Sequence, residues 1–349
     1  MTFNDKIIQE DMELLAEQFN WSALQNTSIL ITGATGLIGK QLVFLLQYLN
    51  ENKNANIKIY ALVRSEQKAK TVFGNADITF VVNDVRQPLV LTDEIDYMIH
   101  GASITQSRAF VEHPVETMDT AYFGTRNMLE FARQKQVKSV VYLSSMEVFG
   151  VTAPQLLEVT ENDYGYIDIL NPRSSYSESK RLCECLCACY AAEFGVPVKI
   201  ARLAQTFGTG IDYDDPRITA QLARCVIELK DIVLHTAGKT LRPSLYTRDA
   251  ILGILTILFA GNNGEAYTIA NKKTSISIRE IAELVASQIA ENKINIKYDI
   301  TNLKENGFNQ DLHLILNTDK LEALGWKAEV GLEEAYRRMI ESMKCRKKE

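Results

Sequence analysis

With 349 residues, the chain is long enough for one large α/β unit or two lobes, and too long for a single simple core. Hydrophobic residues make up 46% and charged residues 23%, the balance of an ordinary soluble globular protein. A net charge of −6 with no basic stripe argues against a nucleic-acid partner, and the tail KCRKKE reads as a solvated end.

Residues 1–26 open with MTFNDKIIQEDMELLAEQFNW, acids mixed with apolar residues at helical spacing. That pattern predicts an N-terminal helical extension, and neither a signal peptide nor a transit peptide. From residue 27 to 205, apolar runs alternate with helical patterns. TSILITG is a strand, followed by a helix from Leu37 to Asn50; IKIYALV, ITFVV, IDYMIHG and KSVVYLSS are further strands. A long amphipathic helix, Pro114 to Lys135, precedes the last of these. Another helix begins near Tyr176 and is closed by Gly195, and PVKIARL follows it as a strand. Continuous apolar strands separated by helices predict an α/β fold, a Rossmann-type doubly wound parallel sheet covered on both faces. A return segment near 240–270 is assigned to the same domain.

Residues 206–239 and 271–349 read as a smaller C-terminal α/β substrate lobe over the strand ends, with helices near Ile218–Lys230, Asp249–Phe259, Ser277–Glu291 and Leu332–Met343 along this half of the chain. The longest apolar stretch, AILGILTILFA, contains Gly253 and falls short of the roughly 18 residues a membrane span needs. No membrane partner is expected, and a cytoplasmic location is the expectation. Cys183, Cys185, Cys187 and Cys189 recur at every second position of a helix, which divides them between opposite faces. They are expected to be small core or interface residues, and no metal site is expected.

TGATGLIG joins the first strand to the first helix. Gly33 permits the tight turn, Gly36 lets backbone approach a pyrophosphate, and Gly39 lets helix pack close to strand. The second strand ends in Arg64 and Ser65, where an acid would hold the ribose hydroxyls of an unphosphorylated cofactor. This pair suits a 2′-phosphate, so NADP(H) is the expected preference, with NAD(H) the second candidate. Asp84 after the third strand is a candidate for the adenine amino group or for a helix cap. Tyr176 and Lys180 stand at i,i+4 on one helical face, where an ammonium beside a phenol lowers its pKa toward working pH. Ser145, at a strand end, is placed to hydrogen-bond the same reacting oxygen.

With TGATGLIG, IHGAS, PVETMDTAYFGTRNMLE, SSMEVFG, YSESK and NTDKLEALGWKAEVGLEEA in this order, the chain resembles the extended short-chain dehydrogenase/reductases, the nucleotide-sugar epimerase/dehydratase family. The resemblance implies catalytic roles for Ser145, Tyr176 and Lys180, with Lys180 also gripping the nicotinamide ribose. It adds Thr35, Leu37, Ile38, Val85, Gly101, Ala102 and Ser103 to the cofactor contacts, and it assigns Arg108, Met146, Gln205 and Arg242 to the substrate. It also implies a homodimer, through the helices that flank the fifth strand. RSSYSESKR is most similar to the UDP-glucuronate decarboxylase branch, and Glu147 matches a glutamate shared by decarboxylases and dehydratases.

Several positions depart from the family pattern. Met146 stands where hexose dehydratases carry the Asp of an Asp–Glu pair, and a thioether has no proton to give. At the strand end Met146 is expected to face the cleft, where an aspartate would be tolerated. Ala121 and Gln205 each replace a family asparagine. Arg242 fits the diphosphate-binding arginine, yet no arginine lies between Arg279 and Arg337 to complete the clamp; Lys304 is the candidate substitute. The expected activity is NADP(H)-dependent keto reduction on a nucleotide-activated sugar, similar to CDP-ketose reduction for surface polysaccharide precursors. The alternatives are an epimerase or UDP-glucuronate-type decarboxylase with internally recycled NAD, and a non-catalytic NADP-binding regulatory protein; Glu147 is a candidate to remove a proton, to orient a hydroxyl or only to satisfy a backbone donor.

Overall fold

The computed structural model describes residues 5–74, 76–153, 155–300 and 313–346. Helix α1 (Lys6–Gln18) is capped by Asp5 and lays Ile8, Met12 and Leu15 against the core. Its Asp11 carboxylate is 1% exposed and accepts from Tyr246 Oη (2.6 Å), Thr209 Oγ1 (2.9 Å) and Arg338 Nη2 (2.9 Å). The extension is therefore pinned by charge as well as by apolar contact.

Strands β1 (Ser28–Thr32), β2 (Lys58–Val63), β3 (Thr79–Val82), β4 (Tyr97–His100), β5 (Ser139–Ser145) and β6 (Val198–Leu203) follow the expected apolar runs. Three two-stranded pairs come later: β7 (Gln205–Phe207) with β10 (Ser244–Tyr246), β8 (Ile232–Leu234) with β13 (Ile296–Tyr298), and β9 (Leu241–Arg242) with β12 (Ile276–Ser277). Strand β11 (Ala266–Ile269), in the expected return segment, pairs with β6 and completes a seven-stranded sheet of order β11-β6-β5-β4-β1-β2-β3. Every pairing in that sheet is parallel. Strand order reverses between β1 and β4, and a ligand crevice opens at such a reversal, outside the carboxyl ends of the strands.

Helices α2 (Leu37–Lys53), α3 (Glu66–Phe73), α4 (Ala109–Glu112), α5 (Pro114–Lys135), α6 (Ser175–Phe194), α7 (Ile218–Glu228), α8 (Thr247–Ala260), α9 (Ile278–Leu284), α10 (Asp319–Glu322) and α11 (Leu332–Arg346) are the other α-helices of the described residues, alongside short 3-10 turns. Local chemistry sets several ends: Pro114 pre-sets the first turn of α5, and Gly195 closes α6 in the left-handed conformation. The stretch expected as one helix from Ser277 to Glu291 changes its winding part-way, with α9 passing into a π turn over Val285–Ile289. Ile281, Ala282, Val285 and Ala286 still share one buried face, packed with Phe207, Tyr336 and Met339 in an apolar cluster of the second half.

Candidate active site

The phosphate loop is built by close backbone contact. A Cβ on Gly39 would lie 2.3 Å from Gly33 O, and one on Gly33 would lie 2.9 Å from both Ala102 N and Gly101 O. Both positions therefore require glycine, and Gly33 also has a φ of +70°. Gly36 is the N-cap of α2 and gives it no side-chain cap, so the first amides, those of Leu37 and Ile38 included, are open to an anion. These features fit a dinucleotide pyrophosphate. Thr35 lies within this loop, and Ser103 lies three residues beyond the end of β4. Beneath it, His100 is wholly buried, with Nδ1 2.7 Å from Thr32 Oγ1 and Nε2 3.3 Å from Thr125 Oγ1. Thr32 Oγ1 also accepts the Ala102 amide (3.1 Å). Burial first, then the Lys180 charge, pushes the His100 pKa down to about 3, so the imidazole is neutral and serves as a brace.

At the end of β2, Arg64 and Ser65 are exposed, and Ser65 Oγ caps α3 by accepting the Lys68 amide (3.2 Å). Its hydroxyl proton remains a donor. Asp84 is gripped by Arg86, whose Nη2 lies 2.7 Å from Oδ2, and that contact holds its carboxyl below the usual range. Val85 is buried against Gly124 of α5, and its carbonyl accepts from Asn127 Nδ2 (2.9 Å).

Ser145, Tyr176 and Lys180 come together at the end of β5 and the start of α6. Tyr176 is 9% exposed, its ring stacked at 4.4 Å and 7° on Phe110. The expected lysine–phenol contact takes a different form. Lys180 Nζ donates to Leu143 O (2.7 Å) and lies 5.7 Å from the Tyr176 ring centroid, over the Tyr142 ring at 4.8 Å. Burial moves the Lys180 pKa down to about 8, against the Cys183, Glu184 and Cys187 charges. The Tyr176 phenol is raised above its ordinary range, not lowered: burial acts first and the Glu147 carboxylate second. The Ser145 hydrogen bond, Arg173 and Arg217 oppose that rise. The expected lowering fails because the ammonium is directed at a carbonyl and is itself desolvated.

Glu147 is the acid of this site. Arg173 Nη1 lies 3.3 Å from its Oε2 and Nη2 3.4 Å from its Oε1, and Ser177 Oγ donates to Oε2 at 3.0 Å. Arg242 and Gln205 line one cavity with Thr219, Ser244 and Tyr336. Arg242 is half-buried, and its Nε has no hydrogen-bond partner among the described residues. Arg217, before α7, is clamped by Asp215 at 2.7 and 2.9 Å. Sequence patterning does not mark Arg173, Arg217, Ser177 or Phe110 as functional. Arg173 and Ser177 nevertheless stand inside RSSYSESKR itself, three residues before Tyr176 and one residue after it.

Two expected substrate residues lie elsewhere. Met146 is not open to solvent as expected: it begins a 3-10 turn (Met146–Phe149) and is 6% exposed, within the main apolar core. The turn breaks the strand's alternation and rotates the side chain inward. Arg108 has an 85% exposed side chain and pairs with Glu112 at 2.6 Å, away from the contacts around Tyr176. Lys304 lies outside the described residues. Of the cysteine run, Cys183 and Cys187 are buried while Cys185 and Cys189 are exposed, the division their spacing predicts.

The NAD dependent epimerase/dehydratase family profile matches residues 29–270. The chain belongs to the NAD dependent epimerase/dehydratase family. Members of this family are extended short-chain dehydrogenase/reductases, and the chain is an enzyme of that kind. Among relatives, it is 27% identical over 322 residues to UDP-glucuronic acid decarboxylase 3 of Arabidopsis thaliana, covering 92% of this chain and 90% of that protein. It is 26% identical over 262 residues to UDP-glucuronic acid decarboxylase 1 of Danio rerio, covering 75% of this chain but only 60% of that protein. Its fold matches the Thermotoga maritima UDP-glucose 4-epimerase solved with UDP-glucose, at a TM-score of 0.77 and 19% identity, over 93% of this chain and 100% of that one. No described helix is long and apolar enough to cross a membrane.

Proposed function

We propose that this family member reduces a keto group on a nucleotide-activated sugar, using NADPH. The observation that carries this reading is the state of Glu147, the acid beside the Ser145–Tyr176–Lys180 set, which is held by Arg173 and Ser177. Both Glu147 oxygens are already occupied by donors, a guanidinium and a hydroxyl, so this carboxyl is not free to serve a leaving hydroxyl and elimination lacks its acid. Met146 adds none. Transfer at a carbonyl needs only the remaining groups. The glycine loop would hold the dinucleotide by its pyrophosphate, and the cofactor would supply hydride to the carbonyl carbon. Tyr176 gives its proton to the oxygen, Ser145 hydrogen-bonds that oxygen, and solvent restores the phenol proton. Arg242, with an Nε unpartnered among the described residues, and Gln205 are placed to meet the anionic carrier. A panel of CDP-, UDP-, GDP- and dTDP-linked ketoses, followed by steady-state loss of NADPH absorbance, tests the reading. Turnover with none of them, beside turnover of a UDP-uronate, would replace it.

That second reading, decarboxylation of a UDP-uronate with internal return of the hydride, is favoured by two observations: Glu147 lies beside Tyr176, and the Arabidopsis and Danio relatives are UDP-glucuronic acid decarboxylases. The missing arginine between Arg279 and Arg337 weighs against an unaltered substrate clamp.

The preference for NADP(H) rests on Arg64, exposed at the strand end beside the Ser65 hydroxyl. A charge-assisted contact to a 2′-phosphate contributes about 1.5–3 kcal/mol, so NADP(H) should bind at least roughly tenfold tighter than NAD(H). Calorimetric titration should show that difference in the wild type and its loss in Arg64→Ala. Equal affinities in both proteins would remove the assignment.

We also propose a homodimer through α5 and α6. Val115, Met118 and Phe123 of α5 and Leu182 and Phe194 of α6 are large apolar side chains left exposed. Light scattering at micromolar concentration should give twice the chain mass; a clean monomer mass would contradict it.

A further inference from the structure

Arg173 touches two neighbours of the proton-transferring phenol, Glu147 and Phe110. It sits in the one-turn 3-10 segment Pro172–Ser174, fixed by Asn171 Oδ1, which accepts the Arg173 amide (3.0 Å), and by Ser174 Oγ, which donates to Asp168 O (2.7 Å). That turn lays the guanidinium over the Phe110 ring, 4.8 Å from its centroid, and Phe110 is the ring stacked on Tyr176. The same guanidinium spans both oxygens of Glu147 at 3.3 and 3.4 Å. A planar fork makes such a double contact while lying on an aromatic face; an ammonium cannot do both. Its Nε is shielded and unpartnered among the described residues, so the group's hydrogen bonding is directed at Glu147.

We infer that Arg173 is a positioning residue for proton transfer by Tyr176: it neutralises the Glu147 carboxylate facing the phenol and holds Phe110 against the phenol ring. The inference rests on the reading that Tyr176 exchanges the proton, and it holds whether the net reaction is reduction or decarboxylation. The charged groups around the phenol are Lys180 on α6, Glu147 after β5, Arg173 before α6, and Arg217 with its partner Asp215 before α7. Tyr142, Ser145 and Phe110 are its uncharged neighbours. Among the charges acting on the phenol, Glu147 raises its pKa while Arg173 and Arg217 lower it. Removing Arg173 leaves the carboxylate uncompensated, which disfavours the phenolate further.

The test is the pH profile of kcat/KM in the direction of alcohol oxidation, where the phenolate is the active form and activity falls as pH drops through its pKa. Arg173→Gln should move that limb alkaline by about one unit. Glu147→Gln alone should move it the other way, and Arg173→Gln with Glu147→Gln should return it toward wild type. Arg173→Lys should recover only part of the shift. In thermal unfolding the two glutamine substitutions should be non-additive, a readout independent of turnover. A loss of rate or an alkaline shift in Arg173→Gln that the added Glu147→Gln leaves in place would overturn the inference. If Arg173→Gln fails to fold, the opposite shift in Glu147→Gln and the partial shift in Arg173→Lys carry the same decision. The limb is read with whichever substrate class the wild type turns over, so a wrong net reaction and a wrong role for Arg173 give different results.

Discussion

Tyr176→Phe should lower kcat by roughly 10²–10⁴ while leaving cofactor affinity near the wild-type value. The substitution removes one hydroxyl and keeps the ring. The ring is what packs at 4.4 Å on Phe110, so the local structure retains its support. The lost hydroxyl is the group that the Ser145 hydrogen bond and the Glu147, Arg173 and Arg217 charges converge on. Its nearest substitutes are engaged elsewhere: the Lys180 ammonium is bonded to Leu143 O, and Glu147 is held by Arg173 and Ser177. Stopped-flow or steady-state rates beside a cofactor titration check this. A kcat within about tenfold of wild type, with cofactor binding intact, would show that the proton comes from elsewhere.

Met146→Asp should destabilise the fold by about 3–5 kcal/mol, a large share of the roughly 5–15 kcal/mol that holds a typical domain. Met146 is 6% exposed and packed in the principal apolar cluster with Val148 and Phe149. An aspartate there would bury a carboxyl without a partner, or bind a proton and still lose the thioether's contacts. The thermal unfolding temperature should fall on the order of 5–15 °C, whereas Met146→Leu should stay close to wild type. An aspartate variant with an unchanged unfolding temperature would return this side chain to the cleft.

Features set by neighbouring residues are legible in the sequence itself. The glycine loop, the parallel strands through β6 and the Tyr176–Lys180 pair each depend on residues within a few positions of one another, and periodicity or spacing exposes them. Strand β11 likewise falls in the expected return segment. What stays hidden depends on long-range placement. Arg217 comes from a separate part of the chain and no spacing marks its approach to Tyr176, while Arg173 stands three residues before Tyr176 with nothing in the spacing to pair it with Glu147. Strand alternation carried one residue too far puts Met146 in the cleft, whereas a 3-10 turn begins at that residue and changes the phase. For the Tyr176 pKa, i,i+4 spacing shows that Lys180 shares a face with the phenol but not that a carbonyl accepts the ammonium's hydrogen bond.

The most direct test of keto reduction is stoichiometry on the best substrate of the nucleotide-ketose panel, with NADPH loss and product mass read from the same sample. Keto reduction predicts one NADPH oxidised per product formed, a gain of about two mass units and no carbon dioxide, with the rate lowered roughly 10²–10⁴-fold in Tyr176→Phe. An unchanged mass with no net cofactor turnover, or carbon dioxide released from a UDP-uronate, would contradict it.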